Sequence, residues 1–141
     1  MIIKQLSVFL EDKIGRLTEM TKILAESNIN ISAFNIADAA DYGIVRFIAD
    51  NPELALKVLK ENRFSVNITD VVGMLVPHKP GGLYKALQIL SDNTIHIDYM
   101  YAFAIDNSAS VIIRSSSNEN VIRVLQENKM SLLKASDIYK I

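Results

Sequence analysis

Two short glycine-containing loops hold the residues with the clearest binding chemistry. They read Asp12-Lys13-Ile14-Gly15-Arg16-Leu17 and His78-Lys79-Pro80-Gly81-Gly82-Leu83, and each leads from a β-like stretch into a helical pattern. A helix N-terminus leaves backbone N–H groups unpaired and carries partial positive charge. Glycine before the first turn lets a ligand carboxylate approach those donors. The expected donors are the amides of Gly15, Arg16, Leu17, Gly81, Gly82 and Leu83.

Polar residues recur at two matched places near these loops. Asp12 precedes the first helix and could pair with a ligand ammonium, and Asn30 enters the second strand with a side chain that donates and accepts. The equivalent residues of the second loop region are His78 and His96. The alternative interpretation is purely structural: the glycines serve the turns, Asp12 caps the helix, Asn30 completes a turn and the histidines are solvated.

Composition argues against several other functions. The 141 residues contain no cysteine and two histidines, and no nucleophile-elbow, zinc-protease or dinucleotide motif is present, so no catalysis, metal or cofactor is predicted. Acids and bases are interleaved at a net charge of −1, which disfavours nucleic acid as a partner. No stretch resembles a signal peptide or a membrane span, and we expect a cytoplasmic protein.

The chain repeats itself with an offset of 66 residues and no gap. Gly15 corresponds to Gly81, Ile29-Asn30-Ile31 to Ile95-His96-Ile97, and 58–62 to 124–128. Such self-similarity indicates two copies of one unit, and we place the domains at 1–70 and 71–141.

Each copy changes hydrophobic period in the same order. Strand-like segments at 2–10, 29–37, 44–49 and 64–76 alternate with helical patterns after Gly15 and after the Asn51-Pro52-Glu53 start signal. The order β-α-β-β-α-β, repeated, predicts an α+β fold of two tandem ferredoxin-like domains with antiparallel sheets and helices on one face. Residues 65–77 must serve as the last strand of one copy and the first strand of the next.

The two loops, the polar-Ile pairs Asn30-Ile31 and His96-Ile97 and the element order resemble a tandem ACT-domain protein over essentially the whole chain. The resemblance implies domains paired side by side with joined sheets, and an amino-acid effector bound in the crevice between them. It implies binding residues at the loops and at the second-strand starts. Carried over by position, they are Asp12, Ile14, Gly15, Arg16, Leu17, Asn30, His78, Pro80, Gly81, Gly82, Leu83 and His96. Ile14 and His96 depart from the family's usual proline and asparagine, and Asp12 stands where the family often has asparagine or histidine.

The resulting hypothesis is a non-catalytic sensor that binds a small amino acid and regulates amino-acid metabolism. The partners it implies are the amino acid, a metabolic enzyme and a second copy of the chain as a homodimer. One alternative is an interaction subunit whose crevices bind nothing. Another is a small ferredoxin-like enzyme or RNA binder, for which Tyr99, Tyr101 and Phe103 offer a partial stacking pattern without the basic surroundings.

Overall fold

The computed structural model describes residues 1–38, 41–105 and 107–139. The chain divides into two units. We call Lys4–Thr69 with the segment from Ser136 onward the N-terminal unit, and Asp70–Ala135 with Met1–Ile3 the C-terminal unit. The elements in chain order are β1 (Ile2–Glu11), α1 (Arg16–Glu26), β2 (Ile31–Asp38), β3 (Tyr42–Ala49), α2 (Pro52–Glu61), β4 (Ser65–Pro77), α3 (Gly82–Asp92), β5 (Tyr99–Ile105), β6 (Ser108–Arg114), α4 (Asn118–Glu127), β7 (Ser131–Leu133) and α5 (Ala135–Ile138).

The N-terminal unit orders its strands β2-β3-β1-β4, with β3 antiparallel to both β1 and β2. The register pairs Leu6 with Phe47 and Val8 with Val45, so these side chains point to one face. Met20 and Leu24 of α1 share a buried cluster with them, as do the inward residues of α2. Both helices therefore cover the same face of this sheet, as predicted.

The C-terminal unit repeats this arrangement with strand order β4-β6-β5, and β7 also pairs with β4. Val72, Met74 and Val111 pack with Ala86 and Leu90 of α3 and with the buried face of α4. The α+β fold of two β-α-β-β-α-β units is confirmed, and residues 65–77 form one continuous strand, β4.

In each unit, one helix begins with a side-chain cap and the other begins at a glycine. Asn51 caps α2 by accepting the Leu54 amide at 3.2 Å, and Ser117 caps α4 by accepting the Asn120 amide at 3.4 Å. Gly15 and Gly81 stand at the N-caps of α1 and α3 in the left-handed conformation, where no described side chain caps the helix. The backbone N–H groups in the first turns of α1 and α3 therefore have no capping side chain to accept them among the described residues.

The second strand of the C-terminal unit begins later than expected. β5 starts at Tyr99, so His96 lies in the connection before it and not in a strand. The backbone of this connection bonds outside the sheet ladder: the His96 carbonyl accepts the Ser115 hydroxyl at 2.8 Å, and the Asp98 amide donates to the Arg114 carbonyl at 2.9 Å. In the N-terminal unit Asn30 likewise lies one residue before β2.

Candidate ligand-binding clefts beside the glycine loops

A cleft of about 270 Å³ lies beside the first glycine loop. We call it the first cleft. Its walls come from the end of β1, the loop, the start of α1 and the neighbouring ends of β2 and β3. The lining residues are Leu10, Glu11, Asp12, Lys13, Arg16, Leu17, Ile36, Ala37, Asp38, Tyr42 and Gly43.

The first loop is shaped by its own backbone. Gly15 has φ 94°, a value that L side chains rarely adopt, and this turns the chain into α1. The Lys13 amide donates to the Glu11 carbonyl at 2.8 Å, and the Arg16 amide donates to the Lys13 carbonyl at 3.3 Å. One of the three expected amide donors, that of Arg16, is therefore already used inside the loop.

Charged side chains concentrate at the first cleft. Lys13 and Glu11 form an exposed ion pair at 2.8 Å, and the hydrogen bond and positive charge of Lys13 lower the pKa of the Glu11 carboxyl, with a smaller contribution from Arg16. The Arg16 guanidinium bonds Glu19 at 2.9 Å and stacks over the Phe64 ring at 4.2 Å. Its Nε is buried with no partner among the described residues.

The second loop is tighter than the first. Gly81 has φ 87°, the Gly82 amide donates to the Lys79 carbonyl at 3.0 Å, and the His78 amide donates to the Asn107 carbonyl at 2.8 Å. A Cβ on Gly82 would lie 2.2 Å from the Pro77 carbonyl oxygen. Residue 82 must therefore be glycine, whereas its counterpart in the first loop is Arg16.

A second cleft of about 270 Å³ lies beside this loop, and it is built from the same repeat positions. The 66-residue offset matches nine lining positions of the two clefts. They are Leu10 with Val76, Glu11 with Pro77, Asp12 with His78, Lys13 with Lys79, Leu17 with Leu83, Ile36 with Ala102, Ala37 with Phe103, Asp38 with Ala104 and Gly43 with Ala109. The first cleft also has Arg16 and Tyr42, and the second has Val111.

The clefts contain only part of the predicted site. Five predicted residues line them: Asp12, Arg16, Leu17, His78 and Leu83. The loop residues Ile14, Gly15, Pro80, Gly81 and Gly82 shape the turns without lining either cleft. The alternative that Asp12 caps α1 is wrong, because the cap position belongs to Gly15 and no described side chain bonds there.

Within their own units, Asn30 and His96 lie outside the clefts. The Asn30 amide donates to the Asp50 carboxylate at 3.1 Å, and its carbonyl accepts the Asp50 amide at 3.0 Å, beside a separate hollow that includes Ala25 and Asn28. His96 approaches Asp98 at 3.4 Å, and its side chain is 79% exposed. Neither residue lines the first or the second cleft, which contain Asp12 and His78.

The sequence patterns did not predict that the facing ends of β2 and β3 form one wall of the first cleft. Asp38 ends β2, Tyr42 begins β3, and Gly43 pairs with Leu10 of β1. The usable signal was the ferredoxin-like strand order, because β3 beside β1 brings the tip of the β2–β3 hairpin next to the loop that follows β1.

Two further properties of the described residues bear on function. No group of three or more histidines, cysteines or acids is placed to hold a metal ion within 1–38, 41–105 and 107–139. Among the same residues, every helix is too short or too polar to cross a membrane.

Comparison with known proteins identifies the class. A family model described as an ACT domain pair matches residues 1–141, and the chain therefore belongs to the ACT-domain family as a domain pair. Protein BT0572 from Bacteroides thetaiotaomicron is 55% identical, with a TM-score of 0.96 over 100% of this chain and 98% of that one. No curated protein matches in sequence.

Two regulatory subunits share the fold at lower identity. The ligand-free regulatory subunit of aspartate kinase from Thermus thermophilus is 18% identical, with a TM-score of 0.65 over 88% of this chain and 91% of that one. The corresponding subunit from Thermus flavus is 16% identical, with a TM-score of 0.63 over 88% and 90%. At these identities the likeness shows a common fold.

Proposed function

We propose that this ACT domain pair is a non-catalytic regulatory protein that binds a small amino acid at its glycine loops. The observation that carries the proposal is the recurrence of one cleft, of about 270 Å³, at matched positions of both repeats. Each cleft adjoins a helix whose first turn has no side-chain cap among the described residues. The two repeats share one fold, so a site built at the glycine loop of one unit has a counterpart in the other.

The chemistry of the first cleft suits an amino acid. The amide of Leu17 in the first turn of α1 offers a donor for a carboxylate, and the partial positive charge of the helix N-terminus favours that group. Asp12 offers a carboxylate for the ligand ammonium on the same cleft wall. The apolar side chains of Leu10, Leu17 and Ile36 leave a surface for the ligand's own side chain.

Regulation is proposed to act on a separate enzyme of amino-acid metabolism. The two Thermus proteins are regulatory subunits of aspartate kinase and have the same fold over nearly their whole lengths. A ligand changes a partner's activity only if it binds one state of the regulator more tightly than another. We therefore propose that occupancy of the clefts alters a conformation that the enzyme partner recognises.

A thermal-shift screen of the full chain against the twenty amino acids and their metabolic precursors tests binding. A ligand at a hundred times its Kd stabilises a fold by about 2.7 kcal/mol, which moves the Tm by several degrees. We expect at least one dose-dependent shift. A folded protein with a flat response to every compound would contradict the proposal and favour an interaction subunit without a ligand.

Substitutions at Gly15 and Gly81 test which of the two clefts binds the ligand. Gly15→Val places a β-branched residue at φ 94°, so the loop must change its backbone and affinity at the first cleft should fall roughly tenfold or more. Gly15→Asn is the matched control, because Asn tolerates the left-handed conformation and should preserve affinity. Gly81→Val should affect only the second cleft. Equal ligand affinity in all three folded variants, measured by isothermal titration calorimetry, would place the ligand elsewhere.

A further inference from the structure

The two clefts have the same construction and opposite chemistry. Three acidic and two basic residues line the first cleft, whereas Lys79 and His78 are the ionisable residues among those that line the second. At matched positions Glu11 becomes Pro77, Asp12 becomes His78 and Asp38 becomes Ala104. Every carboxylate of the first cleft is thus replaced in the second.

Asp12 and Asp38 are the charges of the first cleft that remain available to a ligand. Glu11 is occupied by Lys13 at 2.8 Å, and Arg16 is occupied by Glu19 at 2.9 Å. Among the described residues, no ion pair joins Asp12 or Asp38 to a basic side chain. Both acids are exposed at the cleft, so a cationic group on a ligand can reach them.

The strand register fixes where Asp38 and Ala104 stand. Asp38 pairs with Gly43, and Ala104 pairs with Ala109, at the ends of equivalent hairpins. Both lie on the helix-covered face of their sheets, since they alternate in phase with Ile36 and Ala102, which pair with the buried Val45 and Val111. The same site in each cleft therefore presents a carboxylate in one unit and a methyl group in the other.

We infer that the two clefts select different classes of amino acid: the first takes one with a second cationic group, and the second takes one with an uncharged apolar side chain. This inference rests on the proposed function. In the first cleft Asp38 faces the distal cation. In the second, Val76, Leu83 and Ala104 surround an apolar side chain, and Lys79 supplies the positive charge near the ligand carboxylate. Residues 38 and 104 determine the difference in specificity.

L-lysine and L-norleucine are matched probes, because norleucine is lysine without the terminal ammonium. The amide signals of Gly15 and Gly81 in a ¹H–¹⁵N spectrum of the full chain report the two clefts separately. We expect norleucine to shift Gly81 at lower concentration than Gly15, and lysine to do the reverse. Asp38→Ala should weaken lysine at the first cleft roughly two- to fivefold, as the loss of one exposed ion pair does.

The reciprocal variant completes the test. Ala104→Asp should give the second cleft a preference for lysine over norleucine, at an exposed position where the new side chain disturbs no core. Asp41→Ala removes the same charge from the same hairpin but does not line the cleft, and it should leave both preferences unchanged. If lysine and norleucine shift Gly15 and Gly81 with the same order of preference, the inference is overturned and the proposed function stands. The same holds if Asp38→Ala and Ala104→Asp change neither preference. No response of either glycine to any amino acid would overturn both.

Discussion

Matched positions 16 and 82 show how one residue changes a repeated loop. Gly82 approaches the Pro77 carbonyl so closely that no side chain fits, whereas Arg16 carries a guanidinium that contacts Phe64 and Glu19. The first loop thereby gains a positive group at its cleft, and the second loop gains a tighter turn. The repeat conserves backbone geometry at Gly15 and Gly81 while allowing the chemistry beside it to differ.

Glu11 should titrate below its ordinary pKa of 4.5, because Lys13 bonds and faces the charged carboxylate. A lowered folded-state pKa contributes stability above the unfolded-state pKa, and this contribution is lost as the pH falls through the folded-state pKa. We expect Lys13→Ala to raise the Glu11 midpoint in a ¹³C NMR titration of the side-chain carboxyl. Lys22→Ala, which removes a lysine paired with Glu26 at 3.9 Å, is the control. An unchanged Glu11 midpoint in Lys13→Ala would refute the assignment.

At the scale of elements, helices α1 to α4 begin in two different ways. α2 and α4 begin with side-chain caps from Asn51 and Ser117, which satisfy one backbone donor each. α1 and α3 begin at left-handed glycines without such a cap from any described side chain. The uncapped starts are the ones beside the clefts, so the helices that we propose to position a ligand differ from α2 and α4 in having no side-chain cap among the described residues.

The start of α3 should be sensitive to a single methyl group. Gly82→Ala forces the Pro77 carbonyl and the loop apart, and overpacking of this kind typically costs about 1–3 kcal/mol of unfolding free energy. Lys79→Ala in the same loop is exposed and should change stability by less than about 0.5 kcal/mol. Urea denaturation of both variants measures the contrast. Equal midpoints for Gly82→Ala and the parent chain would mean that the loop accommodates a Cβ at residue 82 beside the Pro77 carbonyl oxygen, contrary to this prediction.

At the scale of the whole molecule, each repeat has its own hydrophobic core, and the cores occupy the same repeat positions. Leu24 and Leu59 in the N-terminal unit correspond to Leu90 and Leu125 in the C-terminal unit, and all four are buried. The clefts lie at the rims of these cores, where Leu10 and Val76 contribute to both core and cleft. Core packing thus sets the position of the cleft walls.

Leu24→Ala and Leu90→Ala should each destabilise the protein by about 2–5 kcal/mol, since both side chains are at most 1% exposed and their removal leaves a cavity. Ile14→Ala, at a fully exposed loop position, is the control and should be nearly neutral. Calorimetric unfolding provides the measurement. A near-neutral Leu24→Ala or Leu90→Ala would show that the repeated position does not have a repeated role in the core.

Much of the fold was predictable because its signals can be read directly from the sequence pattern. The 66-residue offset, the switch between hydrophobic periods and the Asn51-Pro52 helix start identified strands β1 to β7 and helices α1 to α4 in order, and the structure confirms them. The start of β5 was predicted too early, because Ser115 and Arg114 hold the backbone near His96 through bonds from residues distant in sequence. The hydrophobic pattern around residue 96 cannot predict hydrogen bonds to residues so distant in sequence.

The sequence by itself determined the duplication, through identities at an offset of 66 residues, and it determined the alternation of strands and helices and the glycines before α1 and α3, which depend on residues a few positions apart. Only the tertiary structure decided which side chains share a cleft. Strand β3 lies beside β1, and this brings the end of the β2–β3 hairpin, with Asp38 and Tyr42, to the first loop while Asn30 stands against Asp50. The physical reason is that strand order and register, which depend on long-range packing, place distant residues side by side.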